Sequence, residues 1–94
     1  MTKIFIAHRV KDYGAWKINY DLDTDRRASA GLSEGGHYHS AADSNTFIII
    51  WNSQLDTDEA QARVSAMFSD PDLLALMSES GVIVEDLKFW VCAD

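Results

Sequence analysis

The stretch GGHYHSAADSNTFIIIWN, residues 35–52, reads as two strands around a polar turn. TFIIIWN (46–52) is dense in β-branched and aromatic residues. GGHYHSA (35–41) precedes it, and ADSN (42–45) between them is a run of good turn formers. With the turn centred on Asp43–Ser44, His37 and His39 fall on the same side as Ile48 and Ile50. Tyr38 then falls with Phe47, Ile49 and Trp51. A register slip of one residue reverses that assignment. The run FIIIW is apolar at both parities, so the strand it forms needs cover on both faces of its sheet.

Outward from the hairpin, KIFIAHRV (3–10) reads as another strand, with Ile4, Ile6, His8 and Val10 on one side and Phe5 and Ala7 on the other. DYGAWKINYDLDTDRRASAG (12–31) has helical spacing, with Tyr13, Trp16, Tyr20 and Arg27 within a narrow arc, Asp12 as N-cap and Gly31 as stop. DTDEAQARVSAMFSD (56–70) opens with Asp56 and Glu59 spaced as a capping box. Asp70 caps a further helical segment with Pro71 at its first position, ending near Gly81. EDLKFWVCA (85–93) is the last strand, alternating Leu87, Phe89 and Val91 against Lys88, Trp90 and Cys92.

The order βαββαβ predicts an α+β, ferredoxin-like fold: a four-stranded antiparallel sheet with both helical segments on one face. The sequence is expected to form a single domain over 1–94. The face away from the helices should be polar, yet the central and outer strands are apolar there too. No residues remain to cover it, which predicts a homodimer packed through the sheet faces.

Composition narrows the function classes. Fifteen Asp and Glu against eight Lys and Arg give a net charge of −7 and a pI near 4.7. Nucleic-acid binding rests on a dense basic patch that neutralises phosphate, and these scattered cations do not form one. An anionic membrane surface is excluded for the same reason. No run approaches the roughly 18 apolar residues of a membrane span. One cysteine, Cys92, cannot form an internal disulfide. A cytoplasmic protein is expected.

Arg27 is the most informative single residue, because the helical arc directs it toward the sheet. A buried guanidinium needs a partner. That partner is either a ligand carboxylate or enolate held bidentately, or an internal Asp or Glu. Tyr13, Trp16 and Tyr20 either line a pocket for an aromatic ligand or form the core of an amphipathic helix, and in so small a fold pocket walls are also core. Tyr38 is a further candidate contact. His8 and one of His37 and His39 share a sheet face about two strand spacings apart, roughly 10 Å, too far to ligate one metal directly. Zinc needs three or four convergent ligands, and no motif supplies them, so no metal is expected. A single pocket histidine, His8 or His37, serves better as a general base. DLDTDR (21–26) imitates a calcium loop but has Arg26 and Leu32 where that loop needs Gly and Glu.

HRVKDYGAWK (8–17), Arg27 followed by Gly31 in RASAG, AADSN (41–45) before TFIIIW, and FSDPDLLALMSESGV (68–82) together resemble the dimeric α/β-barrel proteins. The likeness is to small members of the antibiotic-biosynthesis-monooxygenase-like and cyclase-like groups. The resemblance implies a pocket between the helix-covered sheet face and the helices. It also implies a Trp, Asn and His constellation or a Tyr–Arg set, to which Trp51 and Asn52 can contribute. The helical histidine of that family would align near Met67, where no histidine stands, so a haem-degrading role is not expected. The function implied is a cofactor-free monooxygenase, or a cyclase or isomerase, acting on a small, largely apolar, aromatic or polyketide-like substrate. No cofactor is expected. The alternative is a non-catalytic dimeric small-ligand-binding or stress-associated protein.

Overall fold

A computed structural model describes residues 2–93. The chain runs β1 (Thr2–Arg9), α1 (Tyr13–Leu22), α2 (Thr24–Ser29), β2 (Leu32–His39), β3 (Thr46–Ser53), α3 (Thr57–Met67), α4 (Pro71–Glu79) and β4 (Lys88–Ala93). The strands form one sheet in the order β2-β3-β1-β4, every neighbouring pair antiparallel. This is the α+β, ferredoxin-like arrangement expected from the sequence. Among the described residues no helix is long and apolar enough to cross a membrane.

Three aspartates start three helices. Asp12 accepts from Gly14 N at 3.0 Å, Asp56 from Glu59 N at 2.8 Å and Asp70 from Asp72 N at 2.9 Å. Each satisfies a backbone donor that the first helical turn leaves unpaired. Gly31 and Gly81 end helical segments at positive φ, 77° and 89°, where any Cβ is strained. The single helix expected over 12–31 is broken at Asp23. Thr24 Oγ1 donates to the Asp21 carbonyl at 2.7 Å, a local bond that competes with the helical ladder. The last strand begins at Lys88 rather than Glu85, because Val84–Asp86 is a turn of 3₁₀ helix.

The hairpin register differs from the one read above. His37 pairs with Ile49, Tyr38 with Ile48 and His39 with Phe47, so the turn centres on Asp43 and the β2 side chains from Gly36 to His39 change face. Asp43 fixes that centre. Its carboxylate accepts from Asn45 N and from Thr46 Oγ1, both at 3.0 Å, and these bonds hold its pKa below the usual carboxylate value. Upstream, a β-bulge between Glu34 and Gly36 adds one residue to β2. The bulge changes the parity of the strand. Glu34 pairs with Trp51 before it and His37 with Ile49 after it, so Glu34, His37 and His39 all point to the helix-covered face.

That face holds the core: Ile4, Ile6, Phe47, Ile49 and Trp51 from the sheet, with Trp16 and Val64 from the helices. The opposite face carries Phe5, Ala7, Ile48, Ile50, Tyr38 and Trp90. Tyr38 is 65% exposed, Trp90 51% and Ile48 42%.

Candidate functional site

Between α1–α2 on one side and α4 on the other, the sheet face opens into a cavity of about 320 Å³. His8 and Trp51 lie at its base. Trp16, Tyr20 and Arg27 form one wall, and Met67, Phe68, Leu73 and Met77 face them. The volume is at the small end of the roughly 300–1,000 Å³ of small-molecule sites. The lining is mostly apolar, with Asn19, Asp23, Arg26 and Ser80 also on it.

His8 is 5% exposed. Its ring stacks on Phe47, with centroids 5.1 Å apart and planes 4° apart, and tilts against Trp16 at 5.5 Å. Its Nδ1 has no hydrogen-bond partner within the protein. Burial disfavours the charged ring and lowers its pKa to about 4, outweighing a favourable contribution from the Ile6 backbone. His8 is therefore neutral at physiological pH and only a weak base.

Tyr20 is clamped from several directions. Its hydroxyl accepts from Trp51 Nε1 at 2.9 Å and donates to Glu34 Oε2 at 2.8 Å. Its ring stacks on Trp16 at 4.6 Å, and the Arg27 guanidinium carbon lies 3.6 Å from its centroid. Burial raises the phenol pKa further above its ordinary value. Arg27 donates from Nη1 to the Tyr20 carbonyl at 2.8 Å and from Nη2 to Thr24 Oγ1 at 3.4 Å. Among the described residues no carboxylate pairs with it. Of the two partners open to Arg27 at the level of sequence, an internal acid is not the one found.

A second, open groove lies on the other side of Tyr20 and Arg27, which line both spaces. It is bounded by Tyr13 and Lys17 of α1 and by Leu32, Glu34, His37 and His39 of β2. His37 stacks on Phe47 at 5.3 Å and meets Tyr13 edge-on at 5.6 Å. Its Nδ1 lies 3.8 Å from Glu34 Oε1, and its Nε2 is shielded from water with no partner. Burial lowers its pKa, and the nearby Glu34 charge opposes that shift.

The structure therefore gathers His8, Trp16, Tyr20, Arg27 and Trp51 around the inner cavity, and Tyr13 and His37 around the outer groove. Tyr38 and Asn52 are corrected. Tyr38 lies opposite Ile48 on the uncovered face, because the turn centres one residue from where the sequence reading put it. Asn52 follows Trp51 on an alternating strand and so faces away from it, accepting from Lys3 Nζ at 2.8 Å. They cannot form a Trp–Asn pair in one pocket. Glu34, Phe68 and Met77 were missed. The adjacent Gly35 and Gly36 were the available signal for a bulge that re-aims Glu34. Met67, where the resemblance would place a histidine, lines the cavity. Among the described residues no group of three His, Cys, Asp or Glu side chains is arranged to hold a metal ion.

No protein-family profile matches the chain, and no curated protein does. Solved structures do. A NIPSNAP family protein of unknown function from Agrobacterium tumefaciens superposes with a TM-score of 0.66 at 16% identity, covering 98% of this chain and 86% of that one. A candidate antibiotic biosynthesis monooxygenase from Nitrosomonas europaea gives 0.61 at 14% identity, covering 100% and 98%. Another from Deinococcus radiodurans gives 0.57 at 10% identity, covering 100% and 92%. At these identities the likeness is one of fold, and the fold is the ferredoxin-like one that antibiotic biosynthesis monooxygenase and NIPSNAP proteins share.

Proposed function

We propose that the chain is a small cofactor-free monooxygenase-like or cyclase/isomerase-like enzyme. Its substrate is small, largely apolar, and aromatic or polyketide-like, with an acidic C–H or O–H. The observation that carries this reading is the inner cavity: a mostly apolar space with two arginines on its wall, Arg26 paired with Asp23 and Arg27 paired with no carboxylate among the described residues. A cation so placed stabilises negative charge that develops on a bound molecule. A neutral imidazole, His8 or His37, takes the substrate proton, and Arg27 holds the anion that results. In the oxygenase form the anion, on a carbon that carries a second hydrogen, adds to O₂ to give a hydroperoxide; loss of that hydrogen with cleavage of the O–O bond leaves a carbonyl and releases water, so the substrate supplies all four electrons. In the isomerase form the proton returns at another atom.

The same architecture supports a homodimer. Phe5, Ile48, Ile50 and Trp90 make an apolar sheet face that a second copy would cover. Sedimentation at micromolar concentration is expected to give a dimer, and Trp90→Lys to shift it toward monomer; a monomeric parent protein rejects the assembly.

The functional test is a panel of phenols and 1,3-diketones assayed for oxygen uptake and for exchange of the acidic hydrogen into D₂O. Turnover is expected to fall strongly in Arg27→Gln and in His8→Phe or His37→Phe. Full turnover in all three variants rejects the assignments. Tight binding without turnover would favour the non-catalytic ligand-binding reading, which the weak basicity of His8 supports.

A further inference from the structure

Two consecutive residues of α2, Arg26 and Arg27, both reach the inner cavity. Among the described residues Asp23 is the one carboxylate on that lining, and it pairs with Arg26, Nε to Oδ2 at 3.1 Å. His8 at the cavity base is neutral. The lining therefore carries one positive charge in excess, in a chain whose net charge is −7. The excess charge belongs to Arg27.

Arg27 has hydrogen-bonding capacity left over. A guanidinium has five N–H donors. One from Nη1 goes to the Tyr20 carbonyl and one from Nη2 to Thr24 Oγ1, and both of these acceptors are uncharged. The Tyr20 ring lies against the guanidinium, whose carbon is 3.6 Å from the ring centroid. Stacking of this kind occupies a face and leaves the N–H groups at the edges free to donate. The cation is thus fixed in place before a ligand arrives, which lowers the ordering cost of binding one.

The rest of the space suits an apolar body, with Trp16, Trp51, Phe68 and Met77 around it. A wholly neutral molecule would leave the charge of Arg27 unmatched in the same space. A carboxylate matches it, because two oxygens in one plane fit the planar fork of a guanidinium. A phosphate ester brings nearly two negative charges against an excess of one.

We propose that the inner cavity takes a monocarboxylate: an organic acid whose carboxylate is held by Arg27 and whose apolar body lies against Trp16, Trp51, Phe68 and Met77. This names the substrate class for that cavity, and it rests on reading the cavity as the binding site. The carboxylate fixes where the molecule sits, and proton removal takes place on the body that it positions.

The test is isothermal titration calorimetry of the intact protein with 1-naphthylacetate and with 1-naphthylacetamide, which has nearly the same shape and no charge. The acid is expected to bind roughly tenfold or more tightly than the amide, the contribution of one charge-assisted contact. Arg27→Gln should remove that preference and leave the affinity for the amide unchanged, which also shows that the variant folds. Arg27→Lys, which keeps the charge without the fork, should keep part of the preference. The methyl NMR signals of Met67 and Met77, both on the cavity lining, should shift under the naphthyl ring, with Met67→Leu and Met77→Leu to assign them. Equal affinity for acid and amide overturns the proposal. So does an acid preference that survives in Arg27→Gln, acid binding that leaves both methyl signals unmoved, or no binding of either compound at millimolar concentration. An acid preference in a protein that turns over no member of the substrate panel removes the enzymatic reading and leaves this one standing. Turnover of neutral 1,3-diketones with no preference for acids does the reverse.

Discussion

His8 and His37 stack on the same phenyl ring, Phe47, one from β1 and the other from β2. One faces the inner cavity and the other the outer groove. The inner ring is sealed among Trp16, Phe47 and the cavity wall, and its pKa drops to about 4. The outer ring sits beside a carboxylate and near water, and its shift is opposed by Glu34. Burial lowers the pKa of both rings, and only His37 has a carboxylate beside it to oppose the shift.

Removing Trp16 should do the most damage, since its ring touches His8, His37, Tyr20 and Phe47 and so supports both spaces. Trp16→Ala is expected to cost about 3–5 kcal/mol in chemical denaturation, as for other buried aromatic truncations. A cost below about 1 kcal/mol would mean the two spaces do not share that wall.

Acid should separate the two histidines next. The His8 pKa is lower in the folded chain than the 6.5 of an unfolded histidine, so the unfolded state binds more protons between those values. Stability is complete above about pH 6.5 and is lost as pH falls toward 4, by an amount of order 3 kcal/mol. Denaturation midpoints at pH 7, 5.5 and 4 test this. His8→Phe, which keeps the stacking area, should flatten the profile over that window. Asp43 loses its own contribution only below its ordinary pKa of 3.8, outside that window.

Gly35→Ala should cost about 1 kcal/mol or less, because its Cβ meets only the movable end of the Asn52 side chain, and Asn52→Ala should recover much of that in a double-mutant cycle. Additive costs would show that the bulge is not held at that contact. Smallest of all, Glu34→Gln should change stability by no more than about 0.5 kcal/mol, being a partly exposed site, while still altering His37.

Much of the architecture was legible in residue order. The capping aspartates 12, 56 and 70 and the stop glycines 31 and 81 stand where local chemistry puts them, and the alternation of Ile4, Ile6 and His8 gave the buried side of β1. The register of β2 was not legible. Turn composition locates ADSN but does not distinguish a centre at Asp43 from one between Asp43 and Ser44, and that half-residue moved Tyr38 out of the site and both histidines into it. Helical periodicity found Arg27 and Tyr20 but not the break at Asp23, which depends on the competing bond from Thr24. Glu34 lay beyond periodicity altogether, since a bulge defeats the count on which periodicity depends.

That count bears on how the chain tolerates change in length. Edge strands and their approaches usually accept a lost or added residue at modest cost in stability. At the bulge between Glu34 and Gly36 a single deletion would leave the histidines in the register set by the turn at Asp43 and send Glu34 to the opposite face. The number of residues in this segment is thus itself part of the site, and a relative of the same fold with one residue fewer here would carry the same letters without the same chemistry.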